Sequence, residues 1–212
     1  MTELSTDRKI GIFAPSNYGK GWALHQILRQ IPRDILLFIY DTDFEKDIGK
    51  PKFPYAYAEL PNAVIFTPPA TAEGEALGFL GEYIAQVLAR TENRPGFDYR
   101  GAFIVIPGLD LFFMHGTAAS FEASSLKNLA SRGRHQRTGL IYDTKRTAFI
   151  PDDLVANTNL FYFGKLTLEG DKAKVKSYVT TEDLTRLDAQ THKFLRLDML
   201  TGQKDVTDFN EI

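Results

Sequence analysis

From near the start of the chain to about residue 167, short apolar runs alternate with amphipathic stretches. "KIGIF" at 9–13 has the length and composition of a strand. "GKGWALHQILRQI" at 19–31 puts Trp22, Leu24, Ile27, Leu28 and Ile31 on one helical stripe. "DILLFIYD" at 34–41 is continuously apolar, as a strand buried on both faces requires, and "NAVIFTP" at 62–68 is a third such run. "TAEGEALGFLGEYIAQVLART" at 71–91 predicts an amphipathic helix with a Thr cap and an acidic first turn. A fourth strand, "GAFIVI" (101–106), a helix at 118–134, a fifth strand, "TGLIYDT" (138–144), and a sixth within "NLFYFGKLT" (159–167) follow. Strands alternating with helices predict an α/β fold with a mainly parallel sheet and helices on both faces.

The last part of the chain has a different texture. "DKAKVKSYVT" (171–180) alternates like a half-exposed strand, "TEDLTRLDAQ" (181–190) reads as a short helix, and "HKFLRLDML" (192–200) reads as a strand before a "TGQ" turn. No linker or repeat interrupts the pattern. Residues 1–212 are therefore read as one domain, with a core at about 9–167 and a β-rich edge extension at about 168–212. The Pro- and Tyr-rich stretch at 43–62 reads as a surface excursion.

Composition mainly excludes. The net charge of −2 marks the chain as neither a general polyanion binder nor a polyacid. The absence of cysteine excludes disulfides and thiolate metal sites, and the four histidines form no H-x-x-x-H pair. The N-terminal "MTELSTDRKI" has no apolar signal core. The most apolar window, "GAFIVIPGLDLFFM", is short and broken by Pro107, Gly108 and Asp110, so no membrane span is expected. These features predict a cytoplasmic protein.

Chemistry enters at 14–22, between the first strand and the first helix: Ala14, Pro15, Ser16, Asn17, Tyr18, Gly19, Lys20, Gly21 and Trp22. The phosphate-binding pattern G-x-x-x-x-G-K-[ST] works because backbone N–H groups converge on phosphates at a helix N-terminus. Its Lys adds a point charge, and its hydroxyl ligates Mg²⁺. Gly19 and Lys20 are in place, Ala14 replaces the first glycine, and Gly21 replaces the hydroxyl. Lys20 is the leading candidate to touch phosphate, with residues 14–22 as the nucleotide-binding segment. A structural turn carrying an exposed lysine is the alternative.

Residues 131–163, "SRGRHQRTGLIYDTKRTAFIPDDLVANTNLFYF", extend the pattern. A basic Gly133-Arg134-His135 helix end, an apolar strand running into Lys145-Arg146, a helix from Pro151 to Asn157 and "LFYF" follow in order. Together with the loop and "FIYDTDFEKD", they resemble the FtsK–HerA superfamily of P-loop DNA-pumping ATPases, which includes viral genome-packaging ATPases. The resemblance covers roughly 9–167. It implies ATP as ligand, a ring homo-oligomer, DNA as the moved partner, and a capsid or secretion apparatus as a further partner. It also implies a location in host cytoplasm or virion if the source is viral.

The departures from that family bear on catalysis. The Asp-Glu pair expected after the fourth strand is Pro107-Gly108, and the glutamine of the "TQR" signature is Lys145. Asp110 and Asp143 are the acids placed to substitute, with Asp41 farther off, and Lys145 and Arg146 could supply charge that Mg²⁺ normally brings. Mg²⁺ is expected to be weakly anchored. Arg134 matches the position of an arginine finger reaching a neighbouring subunit's nucleotide, and Arg132, Arg134 and Arg137 could meet DNA phosphates. Three readings follow: an ATPase that moves DNA, a non-hydrolysing or structural relative, and a small P-loop kinase-like enzyme. In the first, the strands at 101–106 and 138–144 should flank the strand at 9–13.

Overall fold

The computed structural model of the chain describes residues 4–40, 57–66, 73–91, 99–113, 125–188 and 193–211. Eight strands form one sheet: β1 Lys9–Phe13, β2 Ile35–Tyr40, β3 Ala63–Phe66, β4 Gly101–Ile106, β5 Thr138–Thr144, β6 Leu160–Phe163, β7 Lys193–Asp198 and β8 Lys204–Asp208. Their order is β3-β2-β4-β5-β1-β6-β7-β8. The first six pair in parallel, and β7 and β8 add an antiparallel edge.

Alternation of side chains along the strands builds two cores from one sheet. Phe13 of β1, Tyr142 of β5 and Phe161 and Phe163 of β6 point to one face. There the Phe13 ring lies 5.8, 5.6 and 5.4 Å from those three rings in turn. The helices α2 Glu73–Thr91, α3 Ser125–Arg132, α4 Asp152–Asn157, α5 Glu169–Val175 and α6 Thr181–Asp188 cover this face. Ile10 and Ile12 point to the other face, which α1 Lys20–Arg29 covers through Leu24, Ile27 and Leu28. Helices thus lie on both faces, as the alternation required.

Three expectations need correction. β4 does not flank β1: β5 and β6 do, and β4 stands one strand further out, between β2 and β5. Short crossovers place consecutive strands side by side, so β5 takes the place next to β4 and leaves the far side of β1 to β6. Residues 171–180 are not a strand. Glu169–Val175 is helical because Asp171 and Val175, four residues apart, form its buried face, with acids in the first turn and Lys172 and Lys174 in the last. The strand at 159–167 is confined to Leu160–Phe163. β8 was not anticipated, since "KDVTD" is too polar to read as a strand; only its pairing with β7 makes it one.

Of the 118–134 helix, residues 125–132 are helical, followed by a 3-10 turn at Gly133–Gln136. Its first part, the Thr71 cap, Asp41 and most of the 43–62 stretch lie outside the described residues. Phe112, Phe113 and Tyr162 are buried. Among the described residues no helix is long and apolar enough to cross a membrane.

Candidate nucleotide site

The site forms where the carboxyl ends of β1, β4, β5 and β6 meet. Crevices at this edge are where α/β sheets bind ligands. The loop at 14–19 leaves β1 pinned on both sides. Ala14 N–H donates to the Thr144 carbonyl at 3.3 Å, and Gly164 N–H donates to the Phe13 carbonyl at 2.7 Å. The loop turns back through Asn17 (φ 61°) and Gly19 (φ 92°, ψ 19°), left-handed conformations that favour Asn and Gly. Gly19 then begins α1 with no side chain to cap it, and the first turn of α1 carries no acid. Uncapped N–H groups at the positive end of a ten-residue helix attract an anion.

Lys20 is buried and folds back across this loop, its Nζ donating to the Pro15 carbonyl at 2.9 Å. Burial pushes its pKa down, Asp143 and Asp110 push it back up, and Lys145 adds to the lowering. Four charged groups from three segments therefore share one electrostatic neighbourhood.

The two acids are held reciprocally. Asp143, 6% exposed, sits on β5 opposite Ile12 of β1 and accepts the Gly108 N–H at 3.0 Å. Asp110, 2% exposed, follows the Pro107-Gly108 turn (Gly108 φ 65°) and accepts the Lys145 N–H at 3.0 Å. Each carboxylate thus caps the turn that follows the other's strand. Burial raises the Asp143 pKa to about 6, opposed by Lys20 and the Gly108 N–H.

Arg146 is fixed beside them. Its Nε donates to Asp171 at 3.2 Å and its guanidinium lies 4.7 Å over the Phe149 ring. Asp171, buried, also accepts the Ala148 N–H at 2.8 Å, and Thr144 Oγ1 accepts the Arg146 N–H at 3.1 Å. A cavity of about 280 Å³ opens between Pro15 and Ser16 of the loop, Lys145 and Arg146 after β5, and residues 166–168 with Asp171 after β6.

Not every candidate gathers here. Arg132 and Arg137 are exposed near the amino end of β5, so the length of a seven-residue strand separates them from the loop, roughly 20 Å. Arg134 lies in the 3-10 turn at the same end, its side chain outside the described atoms. Lys127 is drawn into an ion pair with Asp153 at 3.4 Å. Trp22 is turned toward the C-terminal tail, its indole N–H donating to the Phe209 carbonyl at 3.1 Å. Among the described residues no group of three His, Cys, Asp or Glu side chains gathers in a metal-binding cluster.

Asp171 and Gly164 were not anticipated as part of this region. An acidic residue in a first helical turn was visible at 171, but nothing local tied it to Arg146, and Gly164 carried no signal.

No family model and no curated protein sequence matches the chain. Solved structures do. The genome packaging NTPase B204 from Sulfolobus turreted icosahedral virus 2, in complex with AMPPCP, superposes with a TM-score of 0.70 at 13% identity, covering 95% of this chain and 97% of that one. The pCW3 conjugation coupling protein TcpA with ATPγS gives 0.65 at 15% identity, over 97% of this chain and 61% of that one. The cytoplasmic domain of the Thermomonospora curvata type VII secretion ATPase EccC gives 0.64 at 13% identity, over 95% and 25%. The chain thus shares the fold of these NTPases, the α/β fold with a mainly parallel sheet that the sequence pattern implied.

Proposed function

We propose that the chain binds ATP on the loop at 14–22 and, assembled as a ring, drives or supports movement of DNA into a capsid or through a secretion apparatus. The observation that carries this reading is the uncapped α1 N-terminus with Lys20 folded over the loop and Asp143 and Asp110 within its field. The shared fold supports it, because proteins built this way include a genome packaging NTPase and a conjugation coupling protein.

In this reading the backbone N–H groups of 16–21 and Lys20 hold the β- and γ-phosphates, and Lys145 and Arg146 face them from the segment after β5. Asp143 and Asp110 take the place of the acid pair absent at Pro107-Gly108, with Asp143 as the group to orient and deprotonate the attacking water. Mg²⁺ would be held by phosphate oxygens and water beside these two carboxylates, where its charge stabilises the phosphates. The donor set fits it weakly, because Gly21 offers no hydroxyl at the start of α1. Arg134 serves a neighbouring copy's nucleotide, and Arg132 and Arg137 offer charge to DNA phosphates.

A non-hydrolysing relative that keeps the fold and the nucleotide is the second reading, favoured by Gly108 standing where an acid would act. ATP titration together with turnover, with and without DNA, tests both. Lys20→Ala should abolish nucleotide binding, and unchanged affinity in that variant would leave the loop a structural turn. DNA-stimulated turnover supports the first reading; tight binding with no turnover supports the second.

A further inference from the structure

A phosphate loop needs its backbone fixed before the ligand arrives, since small displacements of the binding groups are costly. Here the glycine that begins such loops is Ala14, and the compensation stands just after the neighbouring strand, β6. A Cβ built at Gly164 would lie 2.5 Å from the Ala14 Cβ and 2.5 Å from the Tyr18 ring. The Ala14 methyl is fixed to the loop backbone and cannot swing aside, so the space a side chain at 164 would need is the space the loop occupies.

Tyr18 is the loop residue just before Gly19. It is buried, its hydroxyl donates to the Lys193 carbonyl at 2.8 Å, and its ring meets Phe194 edge-on at 5.3 Å. Phe194 in turn packs edge-on against Phe209 at 5.5 Å, and the Phe209 carbonyl receives the Trp22 indole N–H. Lys193 opens β7 and pairs in register with Asp208, which closes β8. The open end of the β7–β8 hairpin therefore holds both the loop and the first turn of α1.

We propose that the β7–β8 hairpin is the positioning element of the phosphate loop, acting through Tyr18 and Trp22, and that Gly164 is the seat replacing the glycine missing at 14. The proposal rests on the nucleotide-binding reading above. It makes the β7–β8 hairpin part of the framework of the nucleotide site. Any movement of the hairpin reaches the loop through Tyr18 and the first turn of α1 through Trp22.

The test measures affinity for a fluorescent ATP analogue and thermal unfolding on the full chain. Tyr142→Phe serves as control, because it removes a buried hydroxyl bonded to Thr158 at 2.7 Å on the opposite face of the sheet. It should lower the melting temperature and leave affinity unchanged. Tyr18→Phe should cost a similar melting shift but weaken binding several-fold. Gly164→Ala should weaken it by about tenfold or more, and adding Ala14→Gly should recover much of that loss.

Tyr18→Phe and a folded Gly164→Ala that both bind within twofold of the unmodified protein would overturn the proposal. A Gly164→Ala loss that Ala14→Gly leaves untouched would also do so. If Gly164→Ala does not fold, Tyr18→Phe against Tyr142→Phe decides. No binding by the unmodified protein would remove the nucleotide reading itself, and this proposal with it.

Discussion

Asp143 is charged at neutral pH at the expense of the fold. Burial lifts its pKa from 3.8 to about 6, so the native state binds a proton there more readily than the unfolded chain does. Between these values the unfolded state carries fewer protons, and this group's contribution to stability falls as pH rises from about 4 to about 6. Asp143→Asn keeps an acceptor for the Gly108 N–H and removes the charge. It should be more stable than the unmodified protein at pH 7, by on the order of 3 kcal/mol, and nearly equal to it near pH 4. Urea unfolding at the two pH values checks this; equal stability at both would remove the strain assigned to the buried charge. A buried charge of this kind is a cost to the fold that the proposed role of Asp143 would explain.

Metal dependence belongs to the same scale. With no hydroxyl at 21, chelating Mg²⁺ should weaken nucleotide binding by less than tenfold, about 1 kcal/mol, and Gly21→Ser should enlarge that effect. A collapse of binding in EDTA would instead mean a carboxylate ligates the metal directly. Lys20, Asp143 and Asp110 were visible in the sequence, because a loop lysine and acids after apolar strands are local signals. Gly164 was not, since its importance comes from what the neighbouring strand places against it.

Among the elements, α5 shows how a local pattern misleads. Lys-Ala-Lys-Val alternates as a strand would, yet Asp171 and Val175 make a helical face that docks on the turn at 147–149. Asp171 anchors that docking by accepting the Ala148 N–H and holding Arg146. Asp171→Ala should leave a poorly satisfied N–H and cost about 1–3 kcal/mol in urea unfolding. Nucleotide affinity should also fall, because Arg146 loses its fixed direction. A stability loss with unchanged affinity would separate Arg146 from the phosphates. The strands and α1 were legible because they need only periodicity. Strand order and β8 were not, being settled by which edges remain free once the central strands have paired.

At the scale of the whole molecule, the sheet keeps two chemistries apart. The loop at 14–19 sits at the carboxyl edge, and Arg132 and Arg137 lie exposed near the amino end of β5. Within one copy the arginine-rich end does not reach the loop, so the trans role proposed for Arg134 needs a head-to-tail neighbour, the arrangement that closes rings. Arg134→Ala should keep nucleotide binding and lose DNA-stimulated turnover. Mixed with Lys20→Ala subunits it should regain part of that turnover, because an intact loop then faces an intact arginine. No recovery in demonstrated mixed oligomers would refute the trans role.

The two departures from the full phosphate-loop chemistry differ in how easily they could be undone. A Cβ at Gly21 would meet no atom within 4 Å, so a serine there needs one substitution and no repacking. Gly108 is different: its φ of 65° suits glycine, and its N–H is already committed to Asp143. Reinstating an acid pair at 107–108 would mean dismantling the turn and releasing the two carboxylates that now brace it. Residue 21 can therefore change alone, whereas 107–108 can change only together with the Asp110–Asp143 bracing.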